Sequence, residues 1–169
     1  AIIGFFGLMI AVQVIVMWAN RGMVTPFTQA QRMYLAGDLE GACVLLEAER
    51  AAGRADFRML TLLGNACRQL GDLEKSLAIL NEALTIQPNH HFSLYGFGRT
   101  LLVQGRYAEA AVALEKAIDA GAPPVVHLDA GEALFRLGDG AAARVQLEKA
   151  ATVADDAHRR LLAAYLLYQ

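Results

Sequence analysis

Gly37, Gly71, Gly105 and Gly138 recur at intervals of 34, 34 and 33 residues. Asp38, Asp72 and Asp139 follow three of them, and Arg106 follows the other. Five positions after each glycine stands a small residue: Ala42, Ser76, Ala110 and Ala143. Four further on stands a leucine: Leu46, Leu80, Leu114 and Leu147. Such a unit is too short to bury an apolar face alone, so a chain with this grammar stacks helix–turn–helix units into a solenoid. Glycine permits the tight turn between paired helices, and the following Asp can cap the next helix by accepting from its open N–H groups.

The repeat pattern places a connector at residues 19–26, with Thr25-Pro26 marking entry into the first helix. The units then run over about 23–56, 57–90, 91–124 and 124–155 within a repeat region of 27–155. Pro88, and Pro123 with Pro124, are expected to stop the second helix of their units, because proline lacks an N–H and disfavours helix just before it. After Asp155-Asp156, residues 156–169 read as a capping helix with Leu161, Leu162, Tyr165 and Leu166 on its apolar face.

Ahead of the repeats, Ala1 to Trp18 carries no charged side chain. Eighteen helical residues span roughly 27 Å, close to a bilayer's hydrocarbon thickness. The expected element is a transmembrane helix over 1–18, ending in an interfacial Trp18 before Asn20 and Arg21. A signal peptide would show a basic start and a small-x-small cleavage site, and neither is present. Gly4, Gly7 and Ala11 form a thin face for close helix contact, and Gln13 can hydrogen-bond across it.

Around the glycines the chain resembles the tetratricopeptide-repeat family. The second unit carries Leu60, Leu63-Gly64, Gly71-Asp72, Leu80, Ala83 and Pro88 at the signature places. The third carries Leu94, Gly98, Gly105, Tyr107, Ala110, Leu114 and Ala117, and the fourth Gly131, Leu134, Gly138, Ala143, Leu147 and Ala150. In the first, Arg54 stands where the family often has proline. The resemblance implies an all-α, right-handed solenoid of about four helical pairs, whose first helices line a concave groove. Carried over by repeat position, the candidate groove residues are Tyr34, Arg58, Asn65, Arg68, Phe92, Tyr95, Arg99 and Phe135, with Leu128, Glu132 and Arg136 beside them in the last unit. Guanidinium forks there suit carboxylates or backbone carbonyls, and the aromatics suit an extended peptide.

No phosphate loop, nucleophile elbow or His-Glu-x-x-His pattern occurs, so no catalytic residue, metal ligand or cofactor is expected. Consecutive His90 and His91 diverge by ~100° on a helix and read as a surface turn. His127 reads as a satisfied core histidine and His158 as solvated. Cys43 and Cys67 read as buried free thiols, with a disulfide as the alternative. A net charge of −2 argues against nucleic acid as the main partner.

The expectation is a non-enzymatic accessory or scaffold subunit. Its membrane helix docks on a larger membrane complex, and its groove holds a protein or peptide partner. The alternative is a periplasmic assembly factor or holdase that grips extended client segments, as related repeat proteins do in cytochrome c maturation or at the translocon. A single-pass protein of a bacterial inner membrane is expected, with the repeats leaning to the periplasmic side.

Overall fold

The computed structural model describes residues 9, 10, 12–15 and 24–152. Between Pro26 and Ala151 the chain forms eight helices: α1 (Pro26–Leu35), α2 (Leu39–Ala51), α3 (Phe57–Gln69), α4 (Leu73–Ile86), α5 (His91–Val103), α6 (Tyr107–Asp119), α7 (Val126–Leu137) and α8 (Gly140–Ala151). They pair as α1/α2, α3/α4, α5/α6 and α7/α8, and each pair packs on the next, which makes an all-α solenoid. The backbones of the odd-numbered helices approach their successive odd neighbours, whereas those of the even-numbered ones stay farther apart and meet through side chains alone. The odd helices are therefore crowded on the inner side of the curve.

Local chemistry sets the helix ends. Thr25 caps α1 by accepting from the Thr28 N–H, and Pro26 fills a first-turn site where a missing N–H is harmless. The four repeat glycines turn at positive φ, from +75° at Gly105 to +93° at Gly138. Asp38, Asp72 and Asp139 then cap α2, α4 and α8, accepting from Gly41, Lys75 and Ala142 N–H at 2.9, 3.3 and 2.9 Å. Arg106 cannot accept, and it forks instead onto Glu109 at 2.8 and 2.6 Å.

The second helices end differently from one another. Pro88 follows the end of α4 by two residues, as expected. In α6, however, Gly121 at φ +85° reverses the chain before Pro123 is reached, so glycine rather than proline ends that helix. In α2 the same task falls to Gly53 at φ +68°, and Arg54 forks onto the buried Glu49 at 2.9 and 2.8 Å.

Packing inside each later pair rests on one repeated contact. A Cβ placed on Gly64, Gly98 or Gly131 would lie 2.5, 2.7 or 2.7 Å from the Cγ of Leu80, Leu114 or Leu147. The glycine removes that clash, and the leucine is 0–1 % exposed in all three. Ala83, Ala117 and Ala150 are buried on the second helices of their units. The core divides into a cluster around Leu46, Leu60, Leu63 and Ile79, another around Leu101, Leu114 and Val126, and a small one at Leu147 and Ala150. Cys67 is buried and Cys43 half-buried in the first cluster, both as free thiols. Burial pushes both thiols up, Cys67 to about 12.

Among the described residues no helix is long and apolar enough to cross a membrane. Most of the expected span, with Gly4, Gly7 and Ala11, lies outside the described residues, as does the expected capping helix. What is described of that span, residues 9, 10 and 12–15, is helical, and Met9, Ile10, Val12, Gln13, Val14 and Ile15 are all exposed.

Candidate partner-binding groove

Helices α1, α3, α5 and α7 supply the inner face. On α3, Arg58, Asn65 and Arg68 fall at near-helical spacing, and on α5 so do Phe92, Tyr95 and Arg99. The structure brings Tyr34, Arg68, Tyr95 and Arg99 together and adds Asp129 from α7.

Asp129 is the hub. Its Oδ2 accepts from the Tyr95 hydroxyl at 2.6 Å and lies 3.5 Å from Arg99 Nε. The Arg99 guanidinium also sits over the Tyr95 ring, 5.6 Å from its centroid. Burial, and then the hydrogen bond to Asp129, push the Tyr95 hydroxyl well above its usual pKa, so it stays protonated and donates. Toward α1, Gln69 Nε2 donates to the Tyr34 hydroxyl oxygen.

Arg68 lies between these pairs. Its Nε is buried and has no hydrogen-bond partner, and no ion pair reaches the side chain among the described residues. Burial, and then repulsion from Arg99, lower its pKa from the ordinary guanidinium value, while Tyr34, Tyr95 and Asp129 pull the other way. One turn earlier, Asn65 packs against α5. A Cβ on Gly96 would meet Asn65 Oδ1 at 2.7 Å, so the glycine makes room for the amide. Among the described residues that amide has no hydrogen-bond partner either.

The other expected groove residues are differently employed. Arg58 forks onto Asp56 at 3.0 and 2.8 Å and lies over Phe27 and Phe57, so it belongs to the N-terminal cap of α3. Phe92 is 49 % exposed and packs on His91 at the rim, with ring centroids 4.2 Å apart. Phe135 packs against the core cluster of the third and fourth units. Leu128 packs on Leu147 and Ala150. Gln13 is exposed on its helical segment, away from any described partner.

Two residues escaped the sequence reading. Counting 34 from Tyr95 lands on Asp129, but the glycine frame is one residue shorter in the last unit and points to Leu128. An acid standing 34 residues after Tyr95 was the available signal. The second is His90, which is more than a surface turn: it stands just before α5 without a side-chain capping bond, is half-buried, and stacks edge-on against Phe57 at 4.8 Å. Thr61 has one proton and gives it to the Phe57 carbonyl at 2.6 Å. Ser93 must therefore donate to Thr61 at 2.6 Å, and His90 Nδ1–H to Ser93 at 2.7 Å. This polar chain ties α3 to α5 beneath the groove rim. His127, by contrast, is half-buried and bonded to Gln146 at 2.7 Å, as a satisfied interior histidine should be.

Comparison with known proteins agrees with this geometry. Two tetratricopeptide-repeat family models match, one over residues 56–121 and one over 95–159. Among solved structures, MamA residues 41–end from Desulfovibrio magneticus RS-1 is 25 % identical, with a TM-score of 0.67 over 74 % of this chain and 71 % of that one. YrrB, described as a TPR protein with an unusual peptide-binding site, is 18 % identical, with a TM-score of 0.71 over 85 % and 73 %. TTC0263, a thermophilic TPR protein of Thermus thermophilus, is 20 % identical, with a TM-score of 0.73 over 88 % and 84 %. No curated protein matches the chain. The two family matches together span more than half of the sequence, so this chain belongs to the tetratricopeptide-repeat family.

Proposed function

We propose that this protein is a non-enzymatic scaffold or accessory subunit that holds a protein or peptide partner in its concave groove, beside a larger membrane complex. The observation that carries the groove reading is Arg68. A guanidinium with a buried, unpartnered Nε is costly in an isolated chain and is relieved by an incoming acceptor. The peptide-binding site of YrrB, on the same fold, supports the same use here. For the membrane side, the support is the uncharged run Ala1 to Trp18, whose described apolar side chains are 50–63 % exposed on a helical segment. In this reading Gly4, Gly7, Ala11 and Gln13 form the face that docks on the complex, in a bacterial inner membrane with the repeats on the periplasmic side. Tethering raises the effective concentration of the partner, so the groove need not bind tightly.

The deciding experiment is a mild-detergent pull-down of the full chain beside a version lacking residues 1–18, read by mass spectrometry. A stoichiometric membrane complex recovered only with the full chain is the expected result, and replacing Gly7 and Ala11 with leucine should release it. Recovery of many substoichiometric clients by both versions would replace the scaffold with an assembly factor that grips extended segments. The exposed Phe92 at the groove rim is the feature that favours that second reading.

A further inference from the structure

We infer that the edge of the solenoid where α1, α3 and α5 begin is a lipid-facing surface, on which Phe27, Phe57, Arg58, His90, His91 and Phe92 rest against bilayer headgroups. The inference rests on the membrane reading of Ala1 to Trp18 and adds which edge of the repeats lies on that bilayer.

These six side chains form one connected row across three helix starts. The Arg58 guanidinium lies over Phe27 and Phe57, 5.6 and 5.9 Å from their ring centroids. Phe57 meets His90 edge-on at 4.8 Å, and His90 meets His91 and Phe92 at 5.6 and 5.9 Å. His91 and Phe92 close the row at 4.2 Å. The hydrogen bonds from His90 to Ser93 and from Ser93 to Thr61 hold it from beneath. Arg58 and Phe92 are exposed, and Phe27, Phe57 and His91 are half-buried. Rings mixed with polar tips in this way suit the boundary between hydrocarbon and water.

Two observations commit this edge to a bilayer. The first is reach. The uncharged run ends at Trp18 and α1 starts at Pro26, beside Phe27, so at most about 30 Å of chain separates the run from the row. The second is charge. Asp56, the carboxylate beside the row, is neutralised by Arg58 at 2.8 Å. The opposite edge turns through Asp38, Glu40, Asp72, Glu74 and Asp139, while Lys75 and Arg106 there are engaged by Glu47 and Glu109. An anionic leaflet repels that edge and tolerates this one. Leu35, Leu70, Val103 and Leu137 are exposed on the acidic edge, so apolar exposure alone does not choose between the two. Reach and charge do.

The test uses the full chain in vesicles of phosphatidylethanolamine and phosphatidylglycerol, with a nitroxide on a fraction of the headgroups. Trp18→Phe removes the one native indole. Phe92→Trp then places an indole on the row, or Leu137→Trp places it on the acidic edge. The indole at position 92 should be quenched about threefold or more over that at 137, because the edges lie about 20 Å apart along helices of this length. Adding Arg58→Glu, which the first turn of α3 accommodates, should cut the quenching at position 92 about twofold or more through repulsion from anionic headgroups. Matched circular dichroism controls for folding. Equal quenching at both positions, in chains that float with the vesicles, would leave the membrane reading standing and overturn the lipid-facing edge. Quenching at position 92 that Arg58→Glu leaves unchanged would show that the tether alone sets the contact, and would overturn the role given to the row. An indole at position 92 that is blue-shifted yet unquenched would assign the row to a second copy or another protein and overturn the lipid surface. Failure of the chain to float with the vesicles would overturn the membrane reading, and this inference with it.

Discussion

The outer seams on either side of the second unit have the same backbone plan and opposite chemistry. Between α2 and α4 the seam is bridged by charge: Arg50 forks onto Glu82 at 2.9 and 2.7 Å, and Lys75 reaches Glu47 at 3.0 Å. Burial alone would raise the Glu47 carboxyl, but its donors Lys75 and Arg50 outweigh that and hold it below the usual range. Between α4 and α6 no ion pair crosses among the described residues. There the seam is an apolar cleft in two adjoining parts of about 610 and 460 Å³, both lined by Leu84, Leu94 and Lys116. The difference teaches that the repeat specifies what lies beneath the seam, not what closes it. Under both seams a leucine is wedged against a glycine, Leu80 on Gly64 and Leu114 on Gly98.

This comparison can be broken first at the wedge. Leu80→Ala and Leu114→Ala should each cost about 2–5 kcal/mol in denaturant unfolding, because each empties a site 0 % exposed. If the leucine under the apolar cleft costs far less than the one under the ionic seam, the two units do not share one core logic. Next in size are Gly64→Ala and Gly98→Ala, where a new Cβ would press on the leucine at 2.5 and 2.7 Å. Overpacking of about 1–3 kcal/mol is expected at both sites, and a neutral effect on the melting temperature would show that the helices can separate at little cost.

The bridging charges should matter less. Arg50→Ala is expected to cost about 1 kcal/mol or less, since Arg50 and Glu82 are each more than a third exposed. The loss should shrink further in high salt. A larger, salt-insensitive loss would mean that the ionic seam is structural in a way the apolar one is not.

The smallest effect belongs to the α3–α5 joint beneath the groove rim. Burial, then the neighbouring His91 and Arg58, lower the His90 pKa. The folded state therefore binds fewer protons at His90 than the unfolded state does. Its contribution to stability is full above the ordinary imidazole pKa of about 6.5 and is lost as pH falls through the lowered folded value. His90→Asn should flatten the melting temperature against pH below neutrality, and an unchanged slope would remove His90 from the acid response.

Much of the fold was legible because its constraints are local and repeated. Gly71-Asp72 announces a turn and a cap whatever surrounds it, and Gly64 with Leu80 announces a close helix pair. The groove was less legible, because its chemistry depends on which side chains satisfy one another across helices. Arg58, Arg68 and Arg99 look alike in sequence, yet Asp56 takes the first and Asp129 the last. Asp129 itself was missed because the final unit is a residue shorter in the glycine frame, and Gly121 rather than Pro123 ended α6 because reversal at positive φ came first along the chain.

The sequence by itself determined the period, the turns, the capped helix starts and the buried glycine–leucine wedges, since each arises within about one repeat length. Only the tertiary structure decided which arginine stays unpaired, which seam is sealed by charge and which is left apolar. Those outcomes follow from distances between residues a full repeat apart, where satisfaction of one donor removes the acceptor available to another.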